Sequence, residues 1–132
     1  MASAVKTANL AILARVDAQW STTTDIAWPN VDFTPPDDEQ WLRVDILWGD
    51  AFLETMESTA SNRIYGVVQL TLFGDKGEGY GAMMTNIDTA RDILNRWSGS
   101  GLQFGATSGP TQVEDEQYAA LSVSTPFDIV DT

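Results

Sequence analysis

Apolar and polar positions trade places along this chain in two different periods. Between residues 63 and 73 every second position (Ile64, Gly66, Val68, Leu70, Leu72) is apolar or lacks a side chain, the pattern of a strand with one face on a core. The opposite face carries Arg63, Tyr65, Val67, Gln69, Thr71 and Phe73 and is only half polar, so it too is expected to meet something other than water. Beyond Gly74-Asp75-Lys76-Gly77-Glu78-Gly79 the spacing lengthens to three and four, through Tyr80, Met83, Met84, Ile87, Ala90, Leu94 and Trp97, with Ile93 bordering the stripe. That spacing predicts one apolar face of a helix of roughly 17 residues.

Residues 2–20 predict another amphipathic helix. Val5, Ala8, Ile12, Leu13, Val16 and Trp20 lie on one side, Ser3 is placed to cap the N-terminus, and Leu10 falls off the main stripe. The run Ser21-Thr22-Thr23-Thr24-Asp25 ends it, because short polar side chains compete for helical hydrogen bonds. Pro29 limits residues 26–28 to a short edge strand at best, and Pro35-Pro36 favours an extended stretch. Residues 41–48 alternate again, with Leu42, Val44, Ile46 and Trp48 on one face and Trp41, Arg43, Asp45 and Leu47 on the other. Gly49-Asp50 marks a bulge or bend, residues 51–56 can continue the strand, and residues 57–62 form a polar turn. Residues 41–73 therefore read as a long antiparallel hairpin, since the connection is too short for a parallel crossover.

After the second helix, Ser98-Gly99-Ser100-Gly101 stops helical propagation. Short strands are expected at residues 102–104 and 111–113, with loop between them at 105–110 and an acidic turn at Glu114-Asp115-Glu116. Residues 118–129 close the chain as a strand, with Pro126 near its end or on a sheet edge. The expectation is a single α+β domain over residues 1–132: an antiparallel or mixed β-sheet with a long hairpin, packed against two α-helices.

Composition narrows the chemistry. A chain of 132 residues with 43% hydrophobic residues is the size and make-up of one folded domain. No apolar run approaches a membrane span, and Lys6, Thr7 and Asn9 interrupt the continuous apolar region of a secretory signal, so a cytosolic origin is the expectation. The sequence has no cysteine and no histidine, which excludes disulfides, thiolate chemistry, histidine-based nucleophile activation and the usual transition-metal sites. Nineteen acids against seven bases give a net charge of −12, without the basic cluster that nucleic-acid binding needs.

Several motifs invite a sharper reading. Glycines 74, 77, 79 and 81 lie between a strand and a helix, where phosphate loops sit, but neither phosphate-binding fingerprint fits and Asp75 and Glu78 add negative charge there. A flexible turn is preferred. Asp37, Asp38 and Glu39 lack the alternating spacing of a calcium loop and read as a solvated turn. Paired carboxylates can hydrolyse glycosides, but nothing singles out a pair among so many acids. No catalytic, cofactor-binding or metal-binding residue is assigned, no cofactor is expected, and a role other than an enzyme is favoured. Trp41 and Tyr65, with Val67 and Phe73 beside them in the pattern, fall on the hairpin face away from the clean apolar stripes, and such residues are enriched at buried interfaces. These four are the candidate interface residues.

The order of motifs resembles a known family. Ile26-Ala27-Trp28-Pro29-Asn30 with Phe33 and Pro35, then Trp41-Leu42-Arg43-Val44, Arg63 and Gly66 opening an apolar strand, Gly77 and Gly79 turning into a helix, and a last strand ending Ser124-Thr125-Pro126-Phe127 look like the tail terminator-like proteins of long-tailed bacteriophages. The resemblance covers roughly residues 5 to 130. It implies an α+β fold and a structural virion protein, assembled in the host cytoplasm, that forms a ring, typically a hexamer, capping the tail tube. That ring would end tube polymerisation and join the tail to the head connector, with DNA passing through its lumen unbound. The partners implied are further copies of the chain, the tail tube protein and a connector or neck protein. Trp41, Tyr65, Val67 and Phe73 would then lie at a subunit or tube interface. The alternatives are a neck or head-completion protein and, from another class, a small carboxylate-using enzyme or ligand-binding α+β domain.

Overall fold

A computed structural model of the chain describes residues 4–20, 24–36, 39–53, 62–75, 80–99, 101–115 and 117–131. These form helix α1 (Ala4–Trp20), strands β1 (Asp25–Ala27), β2 (Trp41–Leu53) and β3 (Asn62–Asp75), helix α2 (Gly81–Leu94), and strands β4 (Ser98–Gly99), β5 (Leu102–Phe104), β6 (Ser108–Val113) and β7 (Tyr118–Asp131). The strands make one mixed sheet in the order β1-β2-β3-β7-β5-β4, with β6 also pairing β7. The α+β class, the two helices and the long hairpin are as the periodicity predicts. Ser3, the residues 57–61 of the polar turn and the glycine-rich residues 76–79 lie outside the described residues.

The sheet is built on β2, β3 and β7. β2 and β3 run antiparallel in a register that sets Leu42 opposite Leu72 and Val44 opposite Leu70, and β7 adds Leu121 beside Leu72 and Val123 beside Leu70. Because side chains alternate, this register puts all the clean apolar stripes on one face. That face packs on Ala8, Ile12, Val16 and Trp20 of α1 and on Met83, Ile87, Ala90, Ile93 and Leu94 of α2, all buried. The bulge expected at Gly49-Asp50 is present: the ladder slips one residue between the Trp48–Gly66 and Ala51–Ile64 pairs.

Gly66 is fixed by this packing. A Cβ there would lie 2.5 Å from Phe127 Cζ and 2.8 Å from the Leu47 carbonyl oxygen. The bare backbone leaves room for the Phe127 ring, which meets Trp48 edge-on at 5.2 Å.

Four sequence expectations need correction. The second helix ends at Leu94, so Trp97 lies beyond it: Arg96 turns left-handed (φ 57°), its N–H donates to the Gly105 carbonyl, and the Asn95 side chain accepts the Thr107 N–H. Tertiary bonds to residues 104–107 thus replace the last helical turn. Trp97 still packs, against Phe104 and beneath Arg15, whose guanidinium also donates to the Ile93 carbonyl at the helix end. Met84 is 44% exposed, because the stripe of α2 that reaches the sheet is narrower than the apolar one. β6 begins at Ser108, inside the expected loop. Pro126 lies neither at the end of β7 nor on an outer edge: its carbonyl accepts the Gly105 N–H at 2.9 Å, so its ring nitrogen faces the gap between β6 and β5, where no ladder bond is lost.

The short β1 pairs parallel to β2, with Asp25 opposite Trp41 and Ala27 opposite Arg43. It sits on an edge, as Pro29 requires.

Candidate assembly surface

The sheet face turned away from the helices is divided by its own side chains into two parts. At one end the register lines up Trp41, Phe73 and Ala120. Trp41 stacks on Phe73 at 4.2 Å with an interplanar angle of 10°, Tyr118 meets both rings edge-on, and Phe33 closes over Trp41 at 5.0 Å. With Ala27 and Val113 these residues form a second, smaller core. The loop after β1 is what covers it, since Phe33 belongs to that loop. Asp115 tightens the entry to β7 by accepting the backbone N–H groups of Gln117 and Tyr118.

A polar band crosses the middle of the face. Arg43 lies over the Phe73 ring at 5.2 Å and pairs with Asp45 at 3.0 Å, and the Gln69 amide donates to the Ser122 hydroxyl at 2.8 Å. Both members of the Arg43–Asp45 pair are well exposed, so the pair contributes little to stability.

Past that band the face turns apolar and open. Leu47, Val67 and Pro126 sit side by side on β2, β3 and β7, with Tyr65 in the next row beside Asp128. Leu47 is 55% and Tyr65 42% exposed. A shallow cavity of about 360 Å³ opens between Leu47, Tyr65, Val67 and Pro126, and a second of about 350 Å³ continues toward Gln103 and Gly105, sharing Tyr65 and Pro126 with the first. Together they form a groove across the strands. An ion pair between Arg63 and Asp128 at 3.1 Å borders it.

The four residues singled out in the sequence do share this face, but the structure does not keep them together. Trp41 and Phe73 are 7% and 2% exposed and are covered within the chain, whereas Tyr65 and Val67 line the groove. Sequence reasoning passed over Leu47 and Pro126. Leu47 was legible as an apolar residue on the mixed face of β2, but only the β2–β3–β7 register places it and Pro126 on either side of Val67. Such a surface can bury apolar side chains against another surface, which is what assembly contacts require.

Comparisons with known proteins agree with this architecture. The family model described as "Phage tail terminator protein" matches residues 7–93, from α1 through nearly all of α2. A solved structure shares the fold at a TM-score of 0.64 and 17% identity, covering 92% of this chain and 94% of its own. No curated protein matches the sequence. The family match spans the first helix, the edge strand, the hairpin and the second helix whose packing leaves this sheet face open, and the chain belongs to the phage tail terminator family, a family of structural phage tail proteins.

Proposed function

We propose that this protein closes as a ring, a hexamer by family resemblance, on the head-proximal end of a phage tail tube, ends the tube's polymerisation and joins the tail to the head connector or neck. The observation that carries the reading is the family match over residues 7–93. The open apolar groove beside Tyr65 and Val67 supports it, because a protein whose work is to stop and join other proteins needs exposed surface suited to burial. A net charge of −12 fits a channel through which DNA passes without adhering, since acidic walls repel a polyanion.

The test is a tube-capping assay. Purified protein is added to polymerising tail tube protein, and tube lengths and ends are read by negative-stain electron microscopy. Shortened tubes bearing a terminal ring are expected. Tubes of unaltered length, with nothing bound at either end, would refute the proposal.

A further inference from the structure

The geometry points to a head-to-tail contact between copies of this chain, in which the open edge of β2 in one copy meets the β5–β6 flank of the next. It rests on the ring reading above and specifies which surfaces meet.

Three observations carry it. The first is the asymmetry of the sheet. β1 covers β2 only at residues 41–43, so among the described residues the backbone of 44–53 has no strand on its outer side. Proteins normally blunt such an edge, because its free N–H and C=O groups invite another strand. At residues 46–48 both faces are incompletely covered: Ile46 and Trp48 sit partly buried at the rim of the main core, and Leu47 stands exposed beside the groove. A strand laid along β2 would cover all three and satisfy the edge.

The second observation is on the opposite side of the sheet. Residues 97–113 contain no charged residue, although a chain with 20% charged residues would place about three in a stretch of that length. These residues supply β4, β5 and β6, and Gln103, Gly105, Ala106, Ser108, Thr111 and Gln112 are nevertheless exposed. An exposed flank without charge is unusual for a surface that faces water, and loss of charge marks the centre of protein interfaces. Among the described residues β6 pairs only with β7, so no strand lies on its outer side; Pro110 removes one donor, and alternate donors of residues 111–113 remain.

The third is electrostatic and selects the partner. Each copy carries −12, so two copies meet most readily through surfaces poor in like charge. The two lateral sides of the sheet are such surfaces: residues 97–113 hold no charged residue, and along residues 44–53 of β2 the acids are Asp45, which is paired to Arg43, and Asp50 at the bulge. Because the two sides differ, the contact is heterologous, and repetition closes a ring if the rotation per copy allows it.

The sequence lacks cysteine, so engineered thiols report cleanly. In the full chain carrying Leu47→Cys and Gln112→Cys, β2 and β6 of one molecule are three strand spacings apart, roughly 14 Å. A bismaleimide shorter than that joins the two thiols only between molecules. Wild-type assembly is followed in parallel by light scattering, alone and with the tube protein. The expected result is assembly of the wild type and a covalent ladder of dimers, trimers and larger species from the double variant, with neither single variant cross-linking. Assembly of the wild type without a ladder, or dimers from Leu47→Cys alone, overturns this pairing and leaves the ring reading standing. A wild type that stays monomeric in both conditions overturns both.

Discussion

Trp41 gives a sharp test of whether the second core holds the fold or merely decorates it. It is 7% exposed and touches three aromatic rings: Phe73 in a parallel stack, Tyr118 edge-on and Phe33 tilted. Truncation to alanine deletes a large buried side chain, a change that costs about 3–5 kcal/mol. Three ring contacts, each worth roughly 0.5–1.5 kcal/mol and not additive, place the loss in the upper part of that range. Trp41→Phe separates packing from polarity. The indole Nε1 is buried with no hydrogen-bond partner among the described residues, and an unsatisfied buried donor costs about 1–3 kcal/mol. Replacing the indole by phenyl leaves roughly 40 Å³ unfilled, worth about 1 kcal/mol at ~24 cal/mol per Å³. The two terms offset, so Trp41→Phe is expected within about 1 kcal/mol of wild type and Trp41→Ala far below it. Urea unfolding followed by far-ultraviolet circular dichroism reads both, at one fixed protein concentration because assembly adds concentration-dependent stability. With a slope of about 2 kcal/mol per M, Trp41→Ala lowers the midpoint by roughly 2 M. If Trp41→Phe loses as much as Trp41→Ala, the reasoning about Nε1 is refuted. If neither moves the midpoint, the second core contributes nothing.

Further expectations concern the sheet and its open face. Gly66→Ala pushes a methyl group against the Phe127 ring and the Leu47 carbonyl, and overpacking of this kind costs about 1–3 kcal/mol, so thermal melting should fall by about 4 °C or more; an unchanged melting temperature would mean the Phe127 ring can move aside freely. Tyr65→Asp places a charge in the groove and is expected to reduce ring formation or tube capping while helix content stays constant by circular dichroism; capping at wild-type level would remove Tyr65 from the interface. With 19 acids and seven bases the protein should show no binding to duplex DNA at physiological salt, and a submicromolar affinity in a filter-binding assay would overturn the account of its acidity.

The interface residues show how far a sequence can be read for such a site. Alternation alone identified a face of the hairpin too apolar for water and placed Trp41, Tyr65, Val67 and Phe73 on it, and all four do lie on that face. Alternation says nothing about what covers each residue. Trp41 and Phe73 are closed off by Phe33, from the loop that precedes β2, and by Tyr118, from a strand far along the chain, and Leu47 and Pro126 join Val67 only through pairing with two different strands.

The same division runs through the whole fold. The sequence by itself determined the two helices, the hairpin, its bulge at Gly49-Asp50 and most of each helix's apolar stripe, Val5 and Met84 being exposed and Trp97 lying beyond α2, because those depend on local backbone geometry repeated every two or 3.6 residues. Only the tertiary structure decided that β1 runs parallel to β2, that α2 stops at Leu94 where residues 104–107 take over its hydrogen bonds, and that Pro126 fits inside a long strand because β6 and β5 leave a gap beside it. Each of these depends on a partner distant in the chain, and local periodicity carries no information about partners.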